Sequence, residues 1–157
     1  MKQRYFYLPL AAGILTPSFV IFIIEVFITK LSPFKSVLDI LHRQFAEGKN
    51  FPITDNLFKL MALSSIPFVA LILLTWIVSL KTKGKRLDCI FWGGFIAVLG
   101  LTLFGQVMFW YPFYSGKVMD PFASLSLIFT PFYCLLFLVL GSGIGRVVSD
   151  LPKFKNG

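Results

Sequence analysis

Four intervals of the chain carry no charged side chain: residues 5–24, 60–80, 89–116 and 121–145. A membrane-crossing helix needs about 20 mainly apolar residues, because each residue rises about 1.5 Å across about 30 Å of hydrocarbon. All four intervals are long enough. Membrane-spanning strands would instead show segments of about 10 residues with alternating polarity, and the chain has none. The pattern predicts helices over about 7–29, 58–80, 88–111 and 122–147, with boundaries uncertain by about 2–4 residues. The expected fold is an all-α membrane protein, a single membrane domain over residues 1–157 built as a four-transmembrane-helix bundle.

The one long connection, about 30–57, has a pattern of its own. Ser32-Pro33 and Ser36 are helix-start signals, Asp39 stands three residues after Ser36, and Gly48 is a stop signal. Phe34, Val37, Leu38, Leu41 and Phe45 recur at helical spacing, while Lys35, Asp39, His42, Arg43 and Glu47 fall largely on other faces. Asp39–Arg43 and Arg43–Glu47 are i,i+4 pairs that support a helix. This predicts a short amphipathic surface helix between helices 1 and 2. It either caps the bundle or docks a partner, and in the second case Asp39, Arg43 and Glu47 are the candidate docking surface.

Composition agrees with the lipid-facing reading. The chain is 57% hydrophobic and 14% charged, against about 45–50% and about 25% for an ordinary soluble domain. Its 19 phenylalanines outnumber all 15 lysines and arginines. A soluble core of this size could not hide so much apolar surface. The net charge of +8 would suit nucleic acid, but the cations gather at the ends of the apolar runs. There they already have a cause in membrane orientation and anionic lipid, so no nucleic-acid partner is expected.

The cations also predict the orientation. With the N-terminus inside, the inner set is Lys2, Arg4, Lys81, Lys83, Lys85, Arg86, Arg146, Lys153 and Lys155, and the outer set is Lys30, Lys35, Arg43, Lys49, Lys59 and Lys117. Short loops dominate this rule, and the short second connection alone carries four of the inner cations. Tyr5, Tyr7, Trp76 and Trp92 then belong to the inner interface, and Trp110, Tyr111 and Tyr114 to the outer. Both termini are expected in the cytoplasm, in a plasma membrane of bacterial inner-membrane type. The first apolar run is too long for a signal core and no small-x-small site follows it, so it is expected to stay in the mature protein.

Glu25 is the residue most suggestive of chemistry. It lies within Phe22-Ile23-Ile24-Glu25-Val26-Phe27-Ile28, and a carboxylate at such depth is costly unless it faces a bundle interior or a wet cavity. Gln106, Ser64, Ser65, Ser126 and Thr130 belong at a similar depth in the other three spans. Together they form a candidate intramembrane polar or ion site. In one reading Glu25 snorkels, pairs with Lys30 or is hydrogen-bonded by Gln106 as bundle glue. In the other it binds a proton or cation. Pro17, Pro67 and Pro131 each free a carbonyl inside a span, which Thr16, Ser64 and Thr130 are placed to satisfy. Leu63-Ser64-Ser65-Ile66-Pro67-Phe68 is echoed by Leu127-Ile128-Phe129-Thr130-Pro131-Phe132, through an old duplication or through biased composition.

Gly141-Ser142-Gly143-Ile144-Gly145-Arg146 has glycines like those of a phosphate loop but follows no strand. With Gly93, Gly94, Gly100 and Gly105 it fits close helix packing better. Cys89 and Cys134 are separated by depth and are not expected to pair. His42 has no metal-ligand neighbours at suitable spacing. No Gly-x-Ser-x-Gly, His-Glu-x-x-His or paired intramembrane acids occur, so neither an enzyme, a metal nor a cofactor is expected.

Asn56-Leu57-Phe58-Lys59-Leu60-Met61, followed by Ile66-Pro67-Phe68-Val69-Ala70-Leu71, resembles immunity proteins against pore-forming bacteriocins. Small size, four spans, phenylalanine richness and a long first outer loop add to that resemblance. It implies a membrane protein acting on another membrane component and transfers no functional residue. Small multidrug exporters also carry a glutamate in the first of four helices. The outer position of Glu25 and the long loop after it depart from that pattern. Two functions follow: a non-catalytic accessory or immunity-like binder of another membrane protein, or a small homo-oligomeric ion- or proton-coupled transporter or channel using Glu25.

Overall fold

The computed structural model describes residues 2–29, 53–114 and 121–151. At residues 25–29, 53–60, 110, 112–114 and 121–128 the description is of the backbone alone. Among the described residues there are four α-helices: α1 (Arg4–Thr29), α2 (Ile53–Ser79), α3 (Lys85–Tyr114) and α4 (Pro121–Ser149). Each is long and apolar enough to cross a membrane. The predicted surface helix in the first connection, with Asp39, Arg43 and Glu47, lies outside the described residues.

The helices run beyond the predicted spans at most ends. The largest difference is at α2, which begins at Ile53 rather than near 58. Apolarity marks where lipid begins, whereas backbone hydrogen bonding continues through polar residues such as Thr54, Asp55 and Asn56. Helices of 26 to 30 residues are about 39–45 Å long, enough to reach through the headgroup layers.

The bundle turns its large apolar side chains outward as well as inward. Phe19 on α1, Leu73 and Ile77 on α2, Ile96 and Phe104 on α3, and Phe132 and Val139 on α4 are all exposed. Only 28–39% of each apolar span is buried inside the protein. A helix apolar on every face needs an apolar surrounding on every face, and lipid supplies what the bundle does not.

Packing sets the order of helices around the bundle. α1 packs on α2 and α3, α4 packs on α3 and α2, and α2 touches α3 across the middle. Among the described residues α1 and α4 do not meet, which makes the cross-section a rhombus with α2 and α3 on its short diagonal. The tightest pair is α3–α4. A side chain at Gly93 would collide with the backbone of Gly141, and one at Gly145 with the carbonyl of Cys89. Gly94 leaves room for the Ser142 hydroxyl, 2.5 Å from where a Cβ would stand. Gly100, grouped with these by sequence, meets nothing within 4 Å and has no part in the contact.

A turn of five residues, 80–84, joins α2 to α3. Its closing residue Gly84 has a φ of 68°, in the left-handed region that a side chain disfavours. The Asp88 amide then donates to the Gly84 carbonyl at 3.2 Å, starting α3. This turn, the N-terminus of α1 and the C-terminus of α4 share one end of the molecule, the turn end. Near it lies the main core of Tyr5, Phe68, Leu71, Leu87, Phe91, Phe95, Val98 and Leu138. Its rings follow one another, Tyr5 tilted against Phe91 with centroids 4.8 Å apart and Phe91 stacked on Phe95 at 5.8 Å. A smaller core of Val20, Ile21 and Ile24 lies towards the other end.

Candidate functional site

At the level of the smaller core, two of the depth-matched polar residues meet. Gln106 of α3 is 2% exposed and donates from Nε2 to the Ser64 hydroxyl of α2 at 2.9 Å. Thr130 of α4 closes on the same place because Gly105 has no side chain: a Cβ there would lie 2.5 Å from Thr130 Oγ1. Ser64, Gln106 and Thr130 surround a cavity of about 10 Å³ together with Leu63, Pro67, Thr102 and Pro131. That is roughly one water-sized sphere. The echoed prolines of the second and fourth spans therefore flank one small space.

The other candidates stand apart from this group. Ser65 donates to the Met61 carbonyl of its own helix at 2.7 Å, and its atoms lie where a Cβ of Gly13 would fall. It serves the α1–α2 contact. Glu25 and Ser126 lie on α1 and α4 respectively, with side chains outside the described residues. The expectation that Thr16 satisfies the carbonyl freed by Pro17 is corrected. Thr16 donates to the Ala12 carbonyl at 2.5 Å, because its own rotamer reaches four residues back, whereas Pro17 frees the carbonyl of Gly13. Ser64 accepts from Gln106 across the helix interface.

Most other buried hydroxyls in the spans are likewise spent within the protein. Thr75 donates to Leu71 and Thr102 to Val98, and Thr102 lies 3.4 Å from the Cys134 sulfur. Ser18 and Ser142 hydroxyls are buried without a hydrogen-bond partner among the described residues. Both cysteines are free. Among the described residues no three of His, Cys, Asp and Glu come together.

Replacing Gln106 with leucine keeps its approximate volume and removes one interhelical hydrogen bond. The expected loss is about 0.5–1.5 kcal/mol of stability, read from unfolding in mixed detergent micelles. No change would mean that Gln106 does not tie α3 to α2.

Sequence reading missed the densest polar cluster. Asp88, in the first turn of α3, accepts from Lys2 Nζ at 3.0 Å, from the Arg4 guanidinium and from the Tyr5 hydroxyl. The Arg4 guanidinium also lies 5.3 Å from the Tyr5 ring centroid. A second ion pair, Arg86–Asp150 at 3.1 Å, ties the start of α3 to the segment after α4. The available signal was an acid two residues after the run of four cations Lys81, Lys83, Lys85 and Arg86, at the same depth as cations and a tyrosine at the N-terminus. An acid just inside a helix N-terminus also favours the helix dipole.

No protein-family model matches this chain, and no curated protein or solved structure matches it.

Proposed function

We propose that the protein is a non-catalytic membrane bundle that acts by binding another membrane component, as an accessory or immunity-like protein. The observation that carries this reading is how the intramembrane polar groups are used. Gln106 and Ser64 bond each other across the α3–α2 interface, and Thr16, Ser65, Thr75 and Thr102 bond their own helices. Packed aromatic rings fill the bundle near the turn end. In such a molecule most described interior polar groups are spent on holding the bundle together, and its working surface is then its exterior. In this proposal the turn end, rich in cations, faces the cytoplasm of a bacterial inner membrane. The first connection faces outward and presents Asp39, Arg43 and Glu47.

The test is brief crosslinking in the native membrane, purification in mild detergent and mass spectrometry of what co-purifies. A stoichiometric second protein, lost on charge reversal at Asp39, Arg43 and Glu47, is the expected result. Self-association alone would overturn the reading. Capture indifferent to all three changes would remove the docking surface.

A second reading draws on the small cavity between Pro67 and Pro131. Polar groups at two proline-broken helices can serve an ion path, and a transporter would use them with Glu25. This reading requires Glu25→Gln to abolish proton or ion flux in vesicles at unchanged abundance. Loss of protein in step with flux would make Glu25 structural.

A further inference from the structure

An open cavity of about 390 Å³ lies at the turn end, walled by Lys2 and Tyr5 of the N-terminal segment, Ser79 at the end of α2, Lys83 and Gly84 of the turn, and Leu87 of α3. That volume is within the range of about 300–1,000 Å³ typical of small-molecule sites. We propose that it holds the phosphate headgroup of an anionic phospholipid.

Charge is the first argument. The described part of the turn end carries Lys2, Arg4, Lys81, Lys83, Lys85, Arg86 and Arg146 against only Asp88 and Asp150. The two acids are already engaged, Asp88 by Lys2, Arg4 and Tyr5 and Asp150 by Arg86. Lys83 is exposed and has no acidic partner among the described residues. The wall hydroxyls are committed too, Tyr5 donating to Asp88 and Ser79 to the Trp76 carbonyl. What the cavity offers a ligand is therefore the Lys83 ammonium, with the Lys2 ammonium, shared with Asp88, beside it. The Asp88 contact also fixes where Lys2 sits.

Depth is the second argument. Tyr7, Trp76 and Trp92 are exposed near the same end of the bundle, and such aromatics gather at headgroup level. Leu87 gives the cavity one apolar wall, suited to the glycerol that joins a phosphate to acyl chains. A phosphate on a lipid reaches this place with its chains lying along the exposed apolar faces of the helices.

The test uses the full chain in phosphatidylcholine vesicles carrying a minor fraction of phosphatidylglycerol. After mild extraction, retained phosphatidylglycerol per protein is counted by native mass spectrometry. Lys83→Gln, in an exposed turn and outside every ion pair described, is expected to lower retention about fivefold, the equivalent of about 1 kcal/mol per cation. The double variant Lys81→Gln/Lys85→Gln removes more charge from the same end without touching the cavity wall, and it is expected to lower retention less than Lys83→Gln does. A larger loss in the double variant would reduce the effect to the diffuse field of the surface and overturn the site. Unchanged retention in Lys83→Gln would do the same. Displacement of the lipid by millimolar inorganic phosphate would assign the cavity to free phosphate instead.

Discussion

Gly145→Ala is expected to destabilise the protein by about 1–3 kcal/mol, whereas Gly143→Ala, two positions earlier on the same helix, is expected to be neutral or to stabilise by up to about 1 kcal/mol. The two residues differ only in what they face. A Cβ on Gly145 would run into the carbonyl and carbonyl carbon of Cys89, and one on Gly143 meets nothing within 4 Å. The obstacle at Gly145 is backbone, which cannot rotate away as a side chain can, so α3 and α4 must separate to admit a methyl group. Separation would weaken the Gly93–Gly141 contact along the same seam. Lipid tails are as apolar as leucine, so tight packing rather than hydrophobic burial holds such helices together. Unfolding of the purified variants in increasing sodium dodecyl sulfate, followed by tryptophan fluorescence, measures the difference. Equal stability of the two variants would mean that α3 and α4 do not pack backbone to backbone.

Much of this architecture was legible because the bilayer imposes so strong a rule on sequence. Charge-free intervals located all four helices, and the Gly141–Gly145 spacing with Gly93 and Gly94 located the tight seam. Gly100 shows where that logic fails: composition marks a residue as small, and only helical phase decides whether it faces a neighbour. The same limit applied to the polar residues. Of the residues that depth matching grouped, Gln106, Ser64 and Thr130 meet at one place, whereas Ser65 is directed to α1 by its position on α2. Helix order around the bundle could not be read, because four spans joined by connections of such different lengths admit several arrangements. Asp88 escaped notice for a further reason. Its partners Lys2, Arg4 and Tyr5 are more than 80 positions away in sequence, and nothing local to any of them signals the pairing.

Asp88→Ala is expected to cost about 2–4 kcal/mol, and about half of that loss should disappear when Tyr5 is changed to phenylalanine. Lys2 and Arg4 are about half exposed, and ion pairs of that kind contribute about 0–1 kcal/mol each. Tyr5 is different, at 1% exposure within the aromatic core. Removing Asp88 strands its hydroxyl, and a buried donor without an acceptor costs about 1–3 kcal/mol. Tyr5→Phe removes that donor while keeping the ring against Phe91, so alone it should cost only about 0.5–1.5 kcal/mol. The double variant should then be more stable than the two single losses added together, with a coupling of about 1–2 kcal/mol. A parallel series with Lys2→Gln should show coupling below about 1 kcal/mol, since both partners there reach water. If Asp88→Ala costs the same with or without the Tyr5 hydroxyl, the carboxylate does not anchor α1 to α3 through the tyrosine. The seam between α3 and α4 and this single carboxylate act on different helix pairs. They nonetheless meet on α3, because Gly145 packs against the carbonyl of Cys89, the residue after Asp88, so Gly145→Ala and Asp88→Ala are expected to couple rather than add.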